Sequence, residues 1–215
     1  MTKSAKEYNL QNYFIYLLAL SSGFCIMGVE LLAGRILAPF FGSSVHIWGS
    51  IITVFMLSLS LGYLLGGKLS TRSASLQHFG VIFIVAALML LPIANMSPWL
   101  MEVIFLAIED ARYGSLAASM ALFFIPTIFL GMLSPYAVRL LVKSSHESGQ
   151  VAGKLYFVST LGSALGTIMT SFYLVLWFNI NQIIYSFCSL LACLGVFAVL
   201  LSKSKLRNKI AASHA

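Results

Sequence analysis

Charge is what this chain has least of. Only 9% of its 215 residues are charged, against roughly 25% in a soluble domain, so a soluble fold would leave apolar surface with nothing to cover it. Acidic side chains are scarcer still, 6 against 13 Lys and Arg. Cysteine is limited to Cys25, Cys188 and Cys193, each inside an apolar run. A thiol placed there behaves as a small buried hydrophobe, which argues against a disulfide framework or a metal site. No Ser/His/Asp constellation, metal-ligand spacing or phosphate loop occurs. Acyl-transfer and phosphoryl-transfer chemistry are therefore without support, and no catalytic residue, metal or cofactor is expected. The apolar runs also lack the ten-residue alternation of a transmembrane β-barrel.

What is present is hydrophobic: 60% of the residues, with uncharged runs over 8–29, 36–67, 73–101, 113–138 and 155–202. Each run exceeds the ~20 residues that an α-helix needs to cross a bilayer. Lys3 and Lys6 precede the first run as in a signal peptide, but the apolar stretch continues too far and lacks a small-x-small cleavage site. It is expected to stay as a span. Phe24 before Cys25 likewise argues against a lipoprotein cysteine.

The expected fold is all-α, a polytopic bundle with spans near 13–38, 46–67, 78–95, 114–138, 154–178 and 181–202, the last two divided at "FNIN". The segment 97–113 is the alternative seventh span. Six spans with a cytoplasmic start place 11 of the 13 basic residues inside, leaving Arg35 and Arg112 outside; a seventh would move Arg139, Lys143 and Lys154 out, against the positive-inside rule. The expected organisation is thus a cytoplasmic tail 1–12, a transmembrane bundle 13–202 and a basic cytoplasmic tail 203–215. Within it, 97–113 is an outer amphipathic helix carrying Glu102 and Glu109. The expected location is that of a multi-pass integral membrane protein with both termini cytoplasmic, in the plasma (inner) membrane if the source is bacterial. The tail "KSKLRNKI" follows a span directly and suits anionic headgroups, so the bilayer and not nucleic acid is its partner.

Glycine pairs at four-residue spacing, Gly62 with Gly66 and Gly162 with Gly166, are the expected helix-packing points. Pro126 and Pro135 should kink the fourth helix or free a carbonyl. Two sets of three helices of opposite topology each open with glycine, a polar residue and arginine (Gly28, Glu30, Arg35; Gly131, Ser134, Arg139). This suggests inverted three-helix repeats, which place binding sites at the repeat interface.

Four segments, "VELLAGRILAPFFGSSVHIWGSI", "LGYLLGGKLSTR", "PTIFLGMLSPYAVRLL" and "VAGKLYFVSTLGSALGTIMTSFYL", resemble in order and spacing the membrane region of the fused major-facilitator/spermidine synthases. The resemblance covers roughly residues 20–200. It implies a membrane domain that works with a separate aminopropyltransferase-like enzyme in polyamine-like metabolism. In that family a soluble synthase domain follows the last span, whereas this sequence stops at Ala215; the expectation is that the family's enzymatic activity is not carried on this polypeptide. "GGKLSTR" also has Thr71 where major-facilitator loops usually place an acidic residue.

Glu30 lies about 25 Å along the first helix from Tyr13, and Arg35 about 33 Å. Arg35 can snorkel to headgroups. A carboxylate at the depth of Glu30 must face the bundle interior and be paired, or be neutral. Glu30 is therefore either a structural polar centre or a site for a proton or a cationic amine. With Glu30, the candidate substrate-binding residues are Arg35, Tyr136, Arg139, Tyr156 and Thr160. Three readings stay open: the membrane partner of a synthase, a small major-facilitator-like carrier whose homodimer would supply twelve helices, and an inert scaffold.

Overall fold

A computed structural model describes the backbone of residues 3–213 except 73, 143, 145 and 146, and the side chains of residues 11–204 with the same exceptions. The expected tails fall largely outside the described side chains, with Lys3, Lys6, Lys205, Arg207 and Lys209, and so does Lys143. Among the described residues there are six helices long and apolar enough to cross a membrane. They are α1 (Lys3–Phe41), α2 (Val45–Arg72), α3 (Leu76–Ala107), α4 (Ala111–Leu141), α5 (Ser148–Trp177) and α6 (Ile180–Ser213). The protein is an all-α, multi-pass integral membrane bundle. Helices satisfy every backbone group within the segment, which a hydrocarbon solvent requires.

The connections are short and their chemistry is local. Gly42, at φ 87°, makes the turn after α1 in a conformation that costs other residues a Cβ clash. Ser75 caps α3, its Oγ accepting from the His78 N–H at 3.1 Å. Asp110 caps α4, its Oδ1 accepting from the Arg112 N–H at 2.9 Å. In both cases a side-chain oxygen replaces the missing turn of carbonyls. The turn between α5 and α6 lies at "FNIN", where the Asn179 N–H donates to Gln182 Oε1.

Two features depart from the sequence expectation. Residues 97–107 are the last turns of α3 rather than a separate amphipathic helix, and the chain reverses at 108–110. Pro92 and Pro98 both lie inside α3; each removes one N–H without ending the helix, because neighbouring turns hold it. The second departure is a π-helical turn over Thr170–Leu174 within α5, which no glycine or proline signals.

Packing is organised in three pairs. In α2–α4, a Cβ added at Gly62 would strike the carbonyl of Ile128, and one at Gly66 the carbonyl of Met132. In α1–α5, a Cβ at Gly162 would strike the carbonyl of Leu20, and one at Gly166 that of Phe24. Both pairs are parallel, and each carries a reciprocal glycine: Gly131 of α4 against Leu59, Gly23 of α1 against Ser159. In the third, antiparallel pair, α3–α6, Gly80 and Gly195 face each other's carbonyls. Close backbone approach supplies the attraction that lipid does not provide. The pattern exchanges α1 with α4, α2 with α5 and α3 with α6. Its register, however, matches Gly23 with Gly131, not the Gly28 with Gly131 that the sequence alignment of the two halves used. The physical reason is that glycines at helix contacts, rather than the charged residues, fix which turn meets which.

Candidate functional site

The two parallel pairs stand side by side, with α1 and α4 in contact and α2 and α5 apart. Between them lies a cleft of about 430 Å³. Its floor is Gly23, Ile26 and Met27 of α1 with Ser134 and Pro135 of α4; Tyr63 of α2 forms one wall and Tyr156 of α5 the other. Small residues make this space. Gly23 brings α5 against α1 at one edge, and Pro135 has no N–H to give the carbonyl of Gly131, which leaves an extra acceptor in α4 near the floor.

Many hydroxyl groups of the bundle are held within it, although Ser119, Thr127 and Thr170 are buried without a partner among the described residues. Ser21, Ser50, Ser58 and Ser60 each return a hydrogen bond to a carbonyl one turn back, at 2.6–3.0 Å, the usual fate of serine in a membrane helix. Ser163 does likewise, to Ser159, and also reaches the Gly23 carbonyl at 3.3 Å. Ser134, Ser159, Thr160, Tyr63 and Tyr156 line the same cleft and make no hydrogen bond within the described residues. Five hydroxyls thus open onto one space.

Of the six candidate binding residues, the structure brings Tyr156 and Thr160 together here. Glu30 is half-buried and has no hydrogen bond or ion pair among the described residues. Helical periodicity places it on the Gly23–Met27 face of α1, one turn beyond Met27. That face continues to Gly34, where the Trp48 ring of α2 packs. The other three lie elsewhere. Arg35 is exposed and lines a different cavity, between α1, α3 and α6. Tyr136 is fully buried, stacked on Phe79 with centroids 5.6 Å apart. Its hydroxyl accepts from the Ser75 N–H at 3.2 Å, so it joins α4 to the start of α3. Arg139 is exposed in the last turn of α4, where a cation complements the helix dipole. Sequence reasoning missed Tyr63 and Ser163. Tyr63 is adjacent to Gly62, and a residue beside a packing glycine necessarily flanks the contact, which was the available signal.

Among the described residues no cluster of His, Cys, Asp or Glu could hold a metal ion. Cys25, Cys188 and Cys193 are free thiols. No protein family, curated protein or solved structure matches this chain.

Proposed function

We propose that the chain binds a small cationic amine in the cleft between α1, α2, α4 and α5. The observation that carries this reading is the set of five hydroxyls on one space with no hydrogen-bond partner among the described residues; half-buried Glu30, without a counter-ion among those residues, follows one helical turn beyond Met27 on the same face of α1. An ammonium group has only donors to offer, and it finds here acceptor oxygens, two tyrosine faces suited to a cation, and Glu30. The motif resemblance to the fused spermidine synthases adds the ligand class, a linear polyamine, and the partner class, a separate aminopropyltransferase-like enzyme that produces or uses it.

Thermal-shift titration of the purified protein with a panel of linear polyamines tests the reading. The melting temperature of the wild type is expected to rise. Glu30→Gln keeps the fold, since the amide still forms hydrogen bonds, and weakens amine binding about tenfold or more, because hydrogen bonds to charged groups contribute about 1.5–3 kcal/mol. Equal stabilisation of both proteins by every amine would remove Glu30 from the site and leave the scaffold reading ahead.

The bundle also has a basic end, with Lys68, Arg72, Arg139, Lys154 and Lys203, which the positive-inside rule assigns to the cytoplasm. A cysteine at Ala111, exposed at the opposite end, is expected to react with an impermeant thiol reagent on intact cells, and one at Ser144 to be protected. The reverse pattern would invert the assignment.

A further inference from the structure

At the end of the bundle away from the basic helix termini, α1, α3 and α6 surround a second cavity of about 180 Å³. Arg35 enters it from α1, Ser97 and Met101 from α3, and Ile180 and Asn181 from the opening turn of α6. Three independent features converge on it. Arg35 is a cation without a counter-ion among the described residues. Among the described residues the salt bridge at this end is Arg112 with Asp110, at 2.7 Å, so one of the two basic groups here is neutralised within the protein and the other is not.

The second feature is the start of α6. The N–H groups of Ile180 and Asn181 begin a long helix and have no carbonyl one turn back inside it to receive them. The aligned peptides of the helix concentrate partial positive charge at this point. The third feature is Ser97. It is only 6% exposed, lines the cavity, and makes no hydrogen bond within the described residues. Ser119, Thr127 and Thr170 are also buried without a partner among the described residues; Ser97 lines a cavity that an acceptor oxygen can enter, and a buried hydroxyl gains from such a partner.

We propose that this cavity binds a phosphate group, with the Arg35 guanidinium, the first N–H groups of α6 and the Ser97 hydroxyl as its donors. All three offer hydrogen to oxygen, and two carry positive charge, the combination that recognises phosphate at helix N-termini. Ile36 and Met101 supply an apolar wall against which the hydrocarbon of a phosphate ester would lie. A phospholipid headgroup and a free phosphate share this chemistry.

The test uses the full chain in detergent, melted at increasing concentrations of dioctanoyl phosphatidylglycerol, of inorganic phosphate, or of dioctanoylglycerol, which has the same chains and no phosphate. The melting temperature is expected to rise with the logarithm of phosphatidylglycerol concentration and not with dioctanoylglycerol. The rise is expected to be lost in Arg35→Gln and retained in Arg35→Lys. A rise with inorganic phosphate of the same Arg35 dependence assigns the site to free phosphate; its absence assigns the site to lipid. If Arg35→Gln does not yield folded protein, Ser97→Ala decides, with a reduced rise expected. A rise as large in Arg35→Gln as in wild type, an equal rise with dioctanoylglycerol, or no rise with either phosphate compound overturns the proposal.

Discussion

The α2–α4 and α1–α5 pairs meet through the same contact, a glycine pair of one helix on two carbonyls of its neighbour and a reciprocal glycine facing back, yet they are embedded differently. Beyond the glycines, α2 and α4 share the Ser50–Ser115 hydroxyl contact at 3.1 Å and the Phe55–Phe123 ring contact, and α4 is covered by α3 as well. In contrast, α5 leans mainly on α1. Over their most apolar stretches, 61% of α1 is buried but only 17% of α5. One local motif therefore serves both as a joint inside the core and as the attachment of an outer wall. The difference lies in what surrounds the motif.

Leucine at the two glycine pairs breaks this comparison most directly. Gly66→Leu places a side chain against the Met132 backbone, which cannot yield as a side chain can. Overpacking of this kind costs about 1–3 kcal/mol, and a large fall in the detergent melting temperature is expected. Gly166→Leu meets Phe24 in the same way, but α5 can swing outward with few other contacts to lose. A smaller fall is expected, accompanied by loss of the amine-dependent shift because the cleft has widened. An equal or larger fall for Gly166→Leu would show that the two pairs carry the same load.

The second anchor peculiar to α4 is Tyr136. Tyr136→Phe keeps the ring stacked on Phe79 and removes the hydroxyl that meets Ser75. A loss of about 1 kcal/mol is expected, the net worth of one hydrogen bond, read from the melting temperature. No loss would mean that stacking alone fixes this end of α4.

The smallest effect concerns the helix starts. Asp110 caps α4 with its side chain, whereas Glu147 before α5 makes no such bond. Hydrogen bonds from Arg112 hold the Asp110 carboxyl down to about 2. A depressed carboxyl stabilises the folded state above its unfolded value near pH ~4, and that contribution disappears as pH falls through about 2. Asp110→Asn retains a capping oxygen and loses the ion pair. Melting curves of the two proteins are expected to differ slightly at neutral pH and to converge toward pH 2. A constant difference across that range would place the effect in the cap rather than in the charge.

The spans and the glycine pairs were legible because each is a local pattern: apolar length and four-residue spacing need no knowledge of neighbours. Which helices become neighbours was not legible. Tyr136 and Tyr156 both read as polar groups on helices, and only the pairing of α4 with α3 and of α5 with α1 sends one into the packing against Phe79 and leaves the other on the cleft. The positive-inside rule, with Glu102 and Glu109 on one face, suggested a separate outer amphipathic helix over 97–113. The helix instead runs to Ala107, because Pro98 removes a single hydrogen bond and Glu102 is exposed near the end of the helix. Three of the five cleft hydroxyls, Ser134, Ser159 and Thr160, were legible as polar residues but not as unbonded ones, since that depends on whether the carbonyl one turn back is reached.

The π turn at Thr170–Leu174 bears on how this span can be compared with any other. An extra residue in one turn advances everything beyond it by about 100° around the axis. The Gly162/Gly166 face and the segment Val175–Trp177 therefore do not belong to one helical wheel, and a stripe drawn at constant spacing across 148–177 mixes two phases. A protein with an uninterrupted α-helix here would present the same faces with one residue fewer. Aligning it with this chain would require a single-residue gap inside 170–174, and an alignment without that gap would match every later position to a residue on the wrong side.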